Sequence, residues 1–258
     1  MEKEKKSNHV QAVDRTLAIL EVLAAQGESM QLSEISQKVN LNISTVHRLL
    51  NTMIARDFVK QDEQSKYHLG LKAFQIGNAA LYTLDIRSVA KPFLQDLVQK
   101  CNETANLVIL DGYHVVYIDQ VESKSMIKMF AKVGSRGLAH CTGAGKMLLS
   151  ALKEEELDRL YAGVKLEKFT EKTITDFTLL KQALLKIREQ NYSIDDQELE
   201  EGVLCLSAPI RNHEGKILAA LSVSGPYSRM EAARAENNLL GLICQTAEEI
   251  SQQLGYQK

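Results

Sequence analysis

The sequence predicts an α+β protein of two domains, an N-terminal winged helix-turn-helix and a C-terminal mixed α/β domain with an antiparallel sheet. Short helical patterns followed by one hairpin fill residues 14–70, whereas the rest of the chain combines hairpins with helices and lacks repeating βαβ units. The length of 258 residues also suits two domains. We expect the first domain to span residues 9–70, a linker helix residues 71–87, and the second domain residues 88–258.

Composition excludes several classes of protein. Hydrophobic residues make up 45% of the chain and charged residues 25%, which is ordinary for a globular protein and excludes a mostly disordered one. No apolar stretch is long enough for a membrane span, and the N-terminus lacks the apolar core of a secretory signal. We therefore expect a cytoplasmic protein that does not contact a membrane. Its four widely spaced cysteines should be free thiols.

Net charge gives no support for binding nucleic acid. The formal charge is -2, and residues 1–70 carry equal numbers of basic and acidic residues. A local DNA-reading surface needs only a few well-placed cations, so this balance does not exclude one. The evidence for such a surface must therefore come from the pattern of residues.

Two short helices are predicted at the start of the first domain. Asp14 can cap the first helix, and Gly27 can end it. Its apolar positions are Leu17, Leu20 and Ala24, with Ile19 and Leu23 on neighbouring rows. The second helix carries Leu32, Ile35 and Val39, and a four-residue connector then begins at Asn40, which tolerates the left-handed conformation of a tight turn. Asn42 or Ser44 can cap the helix that follows.

The third predicted helix carries an apolar stripe and a polar face. The stripe consists of Val46, Leu49, Leu50 and Met53, spaced i, i+3, i+4 and i+7. The rest of the surface is polar, with Ser44, Thr45, His47, Arg48 and Asn51. Two short helices joined by about four residues, the second with a hydrogen-bonding face, are typical of a helix-turn-helix.

A hairpin with one cation on each strand follows the third helix. Residues 58–61 and 66–69 read as strands around a polar turn at 62–65, and Lys60 and Lys66 lie one on each strand. This pattern predicts a wing that contacts the DNA backbone through both lysines.

The third helix offers chemically suitable DNA contacts. Ser44 and Thr45 at its N-terminus can bind a phosphate, and Arg48 can reach a guanine edge or another phosphate. The alternative is a small helical packing module with a solvated polar face.

A helix that follows the wing is predicted for residues 71–87. Leu71, Phe74 and Leu81 form one apolar edge. This edge can pair with its copy in a second subunit or pack against its own chain, and both interpretations remain open.

The second domain begins with a helix predicted from about Val89 to Lys100, with Pro92 in its first turn. The predicted strands are residues 107–110, 115–118, 127–131, 203–210 and 217–224, and the predicted helices are residues 143–152, 178–190 and 230–254. Asp111-Gly112 between the first two strands is a strong hairpin signal. Hairpins beside helices favour an antiparallel sheet flanked by helices.

Residues 140–146 resemble a phosphate-binding loop but lack its pattern. His140 stands where the first glycine is required, and Met147 stands where Ser or Thr is required. Instead, Thr142 can cap a helix whose first amides, from Gly143 and Ala144, favour a carboxylate or phosphate. A capped helix start that binds nothing is the alternative.

Small polar residues in the later strands indicate a pocket. Ser222 and Ser224 lie on the same face of a strand, because side chains alternate with period two. An exposed strand face is the alternative. The acidic run at residues 193–198 can be a solvated loop, and Cys205 lies in an apolar strand where burial is favoured over reactivity.

Catalytic and metal sites find no support in the spacing of residues. A Cys205–His140 pair lacks an orienting group, and the metal-capable residues His114, His140, Cys141 and His213 do not cluster at ligand spacing. We therefore predict no enzymatic activity, no metal and no cofactor.

The whole chain, from about residue 9 to residue 256, resembles bacterial transcription regulators of the IclR type, named for the isocitrate-lyase regulator. The matching segments of the first half are residues 12–20 (AVDRTLAIL), 32–35 (LSEI) and 44–50 (STVHRLL). Those of the second half are Gly134-Ser135, His140, residues 142–146 (TGAGK), 202–210 (GVLCLSAPI) and 221–226 (LSVSGP). Ordered matches in both halves are more specific than any single motif.

The resemblance implies a winged helix-turn-helix, a linker helix and a GAF-like effector domain, in a homodimer or homotetramer that binds palindromic operators in double-stranded DNA. The expected DNA contacts are Arg15, Ser44, Thr45, His47, Arg48, Asn51, Lys60 and Lys66. The expected effector pocket is Gly143, Ala144, Asp195, Val203, Cys205, Ser222 and Ser224. Leu204 stands beside Cys205 where some relatives carry a longer polar residue, which bears on the size of the pocket.

The predicted function is that of a regulator, as a repressor, whose operator affinity is modulated by a small organic acid such as a keto acid or an aromatic acid. Asp195 would then need a hydroxyl or protonated group on the ligand, because two bare carboxylates repel. The alternative function is a small-molecule sensor or enzyme with a reactive Cys205 and an N-terminal module that does not bind DNA.

Overall fold

A computed structural model of the chain describes residues 10–82, 85–129, 131–236 and 238–257. The chain divides between residues 84 and 85 into two compact units. This division falls inside the linker helix predicted for residues 71–87, and the domain limits drawn from the sequence stay a prediction. Among the helices that the structure describes, none is long and apolar enough to cross a membrane.

The first unit is a helix-turn-helix followed by a two-stranded wing. Its elements are α1 (Gln11–Gln26), α2 (Leu32–Lys38), α3 (Ile43–Ile54), β1 (Val59–Gln61), β2 (Tyr67–Leu69) and α4 (Leu71–Tyr82). The wing strands are antiparallel, with Val59 opposite Leu69. Asn40 in the turn between α2 and α3 has a positive φ of 49°, as its residue type predicted.

The core of the first unit uses a different face of α1 from the one predicted. Ile19 and Leu23 are buried, whereas Leu17 is 50% exposed. The helix begins at Gln11, so Asp14 lies within its first turn and is not the N-cap. The end of α1 at Gly27, with φ 71°, is as predicted.

The start of α3 also differs from the prediction in one detail. Asn42 occupies the N-cap position, but its side chain makes no capping hydrogen bond. Ser44 lies inside the helix and cannot cap it. The apolar stripe is confirmed, since Val46, Leu50 and Met53 are buried.

The second unit begins with α5 (Asp85–Cys101), which contains Pro92 in its interior. The predicted start at Val89, with Pro92 in the first turn, is therefore wrong. Four buried residues, Ile86, Ala90, Leu94 and Leu97, form a stripe that continues before the proline. Burial of this stripe outweighs the cost of a proline within the helix.

Six strands form one antiparallel sheet in the second unit, in the order β5-β4-β3-β8-β7-β6. The strands are β3 (Thr104–Asp111), β4 (His114–Val121), β5 (Arg136–Leu138), β6 (Ser193–Asp196), β7 (Val203–Arg211) and β8 (Ile217–Pro226). The helices are α6 (Gly143–Leu149), α7 (Glu154–Leu160), α8 (Phe177–Gln190), α9 (Tyr227–Glu236) and α10 (Leu239–Gln253), and a short 3₁₀ turn covers Ala139–Cys141. Helices α6 and α8 cover one face of the sheet, and α5 and α10 pack against the other.

Two predicted elements of the second unit are wrong. Residues 127–129 and 131 form no strand, and Ile127 is 73% exposed, because β5 takes the place beside β4. The long C-terminal helix is two helices, since Asn238 has a positive φ of 50° between them. Residues 193–196, which also allowed a loop, form edge strand β6 with Ser193 and Asp195 buried.

Candidate functional site

The polar face of α3 is exposed opposite its buried stripe. Ser44, His47, Arg48 and Asn51 are exposed, and Thr45 is half-buried. Ser44, Arg48 and Asn51 follow the spacing i, i+4 and i+7, which places them in one row along the helix. This row offers hydroxyl, guanidinium and amide groups to a ligand outside the unit.

The wing presents its two lysines beside an ordered turn. Lys60 is exposed on β1, and Lys66 is half-buried immediately before β2. The amides of Lys66 and Gln64 donate to Asp62 Oδ1 at 2.9 and 3.0 Å. The bond from the Lys66 amide is the main reason that the pKa of Asp62 lies below its usual value.

The cations of this unit are available for an external anion. Within the described ranges, no ion pair forms at Arg48, Lys60 or Lys66 (each lacks a carboxylate within 4.0 Å). Arg15, also predicted to contact DNA, is half-buried on α1.

Small polar side chains form two rows across one face of the second unit's sheet. The first row is Asp195, Cys205, Ser224 and Thr104, and the second is Ser193, Ser207, Ser222 and Asn106. Residues paired directly across antiparallel strands project to the same face. The structure therefore brings four of the predicted effector residues, Asp195, Cys205, Ser222 and Ser224, onto one face.

Helix α6 begins against these rows. Thr142 caps it as predicted, because its Oγ1 accepts the Gly145 amide at 3.2 Å. A Cβ at Gly143 would lie 3.0 Å from Ser207 Oγ and 3.1 Å from Cys205 Sγ, and Ser193 Oγ donates to the Gly143 carbonyl at 2.6 Å. The helix thus lies directly on β7, and this contact leaves no room for a side chain at Gly143.

The remaining predicted pocket residues occupy different surroundings. Val203 is half-buried on β7, on the same side of the strand as Cys205 by alternation. Ala144 is buried in the apolar cluster that joins α6 to the sheet. The sequence suggested that Leu204 affects the size of the pocket. Leu204 is 1% exposed and projects to the opposite face of the sheet from Cys205, so it does not line the predicted pocket.

Asp195 is the acidic group among the predicted effector residues. It is 4% exposed, and one carboxylate oxygen, Oδ1, accepts the Glu198 amide at 2.7 Å. Burial raises its pKa to about 6, and the hydrogen bond from the Glu198 amide and the charge of Lys146 oppose that rise. Asp195 therefore titrates close to neutral pH.

A buried ion pair holds the segment that carries Asp195. Lys146 on α6 donates to Glu198 Oε1 and, at 2.7 Å, to the Ile194 carbonyl. Glu198 Oε2 has no hydrogen-bond partner among the described residues. In the sequence, Lys146 stands out only by its place in a glycine-rich segment, and no local pattern predicts this ion pair.

Two further residues of this region were not predicted. Asn106 is buried in the second polar row. Tyr117 on β4 packs against the apolar cluster that joins α6 to the sheet, and burial raises the pKa of its phenol. Asn106 is a polar residue among apolar ones in β3, and this pattern could have indicated its place in the row. Nothing in the local sequence marks Tyr117.

The two groups of the enzymatic alternative, Cys205 and His140, are both buried. Burial raises the pKa of the Cys205 thiol and lowers that of the His140 imidazole, so both are held neutral. The Nε2 of His140 donates to the Glu167 carbonyl at 2.9 Å. Within the part of the chain that the structure describes, no three His, Cys, Asp or Glu residues are grouped as for a metal.

Comparison with known proteins identifies both units. The family model for the IclR helix-turn-helix domain matches residues 12–63, and the model for the C-terminal domain of bacterial IclR transcriptional regulators matches residues 78–252. The HTH-type transcriptional repressor AllR of Salmonella typhi is 40% identical over 249 residues, which cover 95% of this chain and 90% of the relative.

Solved structures show the same fold. The IclR protein of Thermotoga maritima superposes with a TM-score of 0.77 at 31% identity, covering 96% of this chain and all of the other. An IclR homologue from Microbacterium hydrocarbonoxydans, solved with 4-hydroxybenzoate, has a TM-score of 0.85 at 22% identity, covering 95% and 99% of the two chains. With both family models matched in order and relatives aligned along nearly its whole length, this chain belongs to the IclR family of bacterial transcriptional regulators.

Proposed function

We propose that this protein is a repressor that binds a palindromic operator as a homodimer or homotetramer and responds to a small organic acid in its second unit. The exposed polar face of α3, within a helix-turn-helix of this family, is the observation that carries the proposal. The AllR relatives are named repressors, which supports this direction of regulation. The 4-hydroxybenzoate held by the Microbacterium homologue supports an acid as the ligand class.

In this proposal α3 enters the major groove. Ser44 and Thr45 bind a phosphate near the helix start, and His47, Arg48 and Asn51 face the base edges. Lys60 and Lys66 contact the flanking backbone, and Arg15 on α1 adds a further phosphate contact. The absence of salt bridges at Arg48 and the wing lysines within the described ranges supports this assignment.

The effector lies over Ser222 and Ser224, beside the contact between Gly143 and β7. The hydroxyl groups there can donate to a carboxylate, and the first amides of α6 add a favourable dipole. Operator affinity then changes by the difference in the effector's affinity for the two DNA-binding states.

The burial of Cys205 weighs against the alternative of an enzyme or reactive-thiol sensor. We accordingly propose a regulator without catalytic activity or cofactor, located in the cytoplasm with its DNA. A cysteine that alkylates quickly at neutral pH would favour the alternative.

The DNA-binding part is tested by fluorescence anisotropy with duplex DNA from upstream of the protein's own gene. We expect Arg48→Ala to weaken specific binding by roughly 1–3 kcal/mol, because a guanine or phosphate contact is lost. Arg159→Ala, at an exposed arginine of α7, is the matched control and should bind as the unchanged protein does. Normal binding by Arg48→Ala would remove Arg48 from the interface.

The effector part uses the same assay with a panel of keto acids, hydroxy acids and aromatic acids. Ser222→Leu should abolish the response while DNA binding persists, because a larger side chain would occupy the proposed ligand position. Ser228→Leu, at an exposed serine of α9, is the control. A normal response by a folded Ser222→Leu protein would place the pocket elsewhere.

A further inference from the structure

A cluster of three ionisable side chains lies buried on the sheet face of the proposed effector position, two strands from Ser222 and Ser224. Asp195, Glu198 and Lys146 are each more than nine-tenths buried. They come from three segments, since Asp195 lies on β6, Glu198 follows that strand and Lys146 lies on α6. The cluster joins the helix whose start faces the effector to the strand that carries the pocket's carboxyl group.

Hydrogen bonds tie the three groups into one unit. Lys146 bonds to Glu198 Oε1 and to the carbonyl of Ile194, which precedes Asp195. The Glu198 amide donates to Asp195 Oδ1 at 2.7 Å. Glu198 Oε2 has no partner within the described ranges, so the cluster holds more acceptor capacity than it uses.

The other titratable groups that face the cluster are neutral near pH 7. Burial raises the pKa of the thiols of Cys141 and Cys205 and of the Tyr117 phenol, and it lowers the pKa of His140, which lies near Lys146 and Glu198. The charges of the Lys146–Glu198 ion pair cancel, so the Asp195 carboxylate adds one net negative charge to the cluster. A second negative charge placed beside it at low dielectric would be strongly disfavoured.

We propose that this protein binds its organic-acid effector together with one proton, which is taken up by the Asp195 carboxylate. The inference rests on the proposed function, because it concerns the same pocket. A proton leaves the buffer and forms an O–H bond on Asp195. Because the effector anion and this proton bind together, the occupied site carries the same net charge as the empty site. The protonated carboxyl group then removes the charge that would repel the effector along the row of Asp195, Cys205 and Ser224.

The coupling makes the regulator's sensitivity to an acid depend on pH. Asp195 is half-protonated at about pH 6, so at higher pH each binding event must take up the missing proton. The association constant should therefore fall about tenfold for each pH unit above this value. A given concentration of acid would release or tighten the operator complex more readily as the pH falls.

Isothermal titration calorimetry of the full-length protein with pyruvate and 2-oxobutanoate tests the proposal. Both acids stay ionised over the working range and carry no hydroxyl donor, so any proton taken up must go to the protein. Titrations from pH 6 to pH 8.5, in buffers of different ionisation enthalpy, give the affinity and the number of protons taken up. We expect uptake approaching one proton per site at the high end of this range.

Two variants locate the proton. Asp195→Asn keeps the oxygen that accepts the Glu198 amide and adds donors, so it should bind both acids with no proton uptake and no pH slope. Asp196→Asn is the matched control, because Asp196 projects to the opposite face and pairs with Lys172 at 2.8 Å. Asp196→Asn should keep the full dependence of the association constant on pH.

Three outcomes would overturn the proposal. Binding without proton uptake or pH slope in the unchanged protein would remove the coupling and leave the effector proposal standing. An unaltered slope in Asp195→Asn would assign the proton to another group. Failure of both acids to bind at any pH would overturn the organic-acid effector itself, and the coupling with it.

Discussion

Asp195 shows how strongly one residue's chemistry depends on its surroundings. In the sequence it is part of an acidic run that a solvated loop would also explain. In the structure it is buried on the sheet face while its neighbour Asp196 is half-exposed and paired with Lys172. Burial raises the pKa of Asp195, and the Lys172 ammonium lowers that of Asp196.

The raised pKa of Asp195 makes a prediction about stability. Its pKa of about 6 in the fold exceeds the ordinary value of 3.8, so the folded state holds the proton more tightly than the unfolded chain does. The group therefore destabilises the fold above about pH 6, and the cost disappears as the pH falls toward about 4. Between these limits, we expect the unfolding free energy of the unchanged protein to fall, relative to Asp195→Asn, by on the order of 3 kcal/mol as the pH rises.

Urea denaturation at several pH values measures this difference. Asp196→Asn is the control with the opposite sign, because the lowered pKa of Asp196 gives a stabilisation that is present at neutral pH and lost in acid. Parallel stability curves for Asp195→Asn and the unchanged protein would show that Asp195 is ionised normally in the fold.

At the scale of elements, packing decided the features that local patterns misplaced. The C-terminal helix divides at Asn238, and α5 continues through the region of Pro92, although the sequence favoured one helix in the first case and a later start in the second. Elements with a clear period were predicted well, among them α3, the β3–β4 hairpin and strands β7 and β8. The period of these elements can be read from the order of apolar and polar residues along the chain. The two misplaced helix boundaries depend on which other elements pack against the helix.

The link between α6 and the segment after β6 is an element-scale feature with a measurable cost. Lys146→Met should destabilise the second unit by about 3–5 kcal/mol, because Glu198 would lose its cationic partner in a buried position. The double variant Lys146→Met/Glu198→Leu should recover part of this loss, since it removes the uncompensated charge. Denaturant unfolding measures both variants.

Equal destabilisation in the single and the double variant would show that the loss comes from packing and not from the ion pair. Lys181→Met provides a comparison with a more exposed lysine that contacts Glu154 and Asp158. Exposed pairs of this kind contribute little, so its effect should be below about 1 kcal/mol.

At the scale of the whole molecule, a chain of nearly balanced charge must bind DNA through a few local contacts. With a net charge of -2, attraction at long range is weak, so in the proposed interface affinity depends on the cations of α3 and the wing. We expect operator affinity to fall linearly with the logarithm of salt concentration. Lys60→Ala should reduce the slope by about 0.9, because one phosphate contact is lost.

Anisotropy titrations over a range of salt concentrations measure the slope. Lys165→Ala, at an exposed lysine outside the proposed interface, should leave it unchanged. A slope that Lys60→Ala does not alter would remove the wing from the set of phosphate contacts.

Much of the candidate site was predictable because its residues follow strand alternation or the spacing of a helix. Ser222 and Ser224 share a face through period two, the helix start at Gly143 follows from its capping pattern, and the resemblance to the family added Asp195 and Cys205. The ion pair between Lys146 and Glu198 was not predictable, because the two residues are 52 positions apart and meet only when α6 lies on β7. Tyr117 reaches the same region from β4, which is separated from β7 by the two strands β3 and β8.

The sequence by itself determined the two-part organisation, the helix-turn-helix with its exposed polar face, the antiparallel class of the second unit and the family. These features depend on local periodicity and on motifs in fixed order, which a chain carries before it folds. The GAF-like character, the oligomeric state and the domain limits stay predictions. Only the tertiary structure decided that Leu204 faces away from the pocket, that α6 touches β7 at Gly143, and that Asp195 is buried beside Lys146 and Glu198. Burial and the meeting of distant charges arise from the packing of one element on another, and no local pattern contains them.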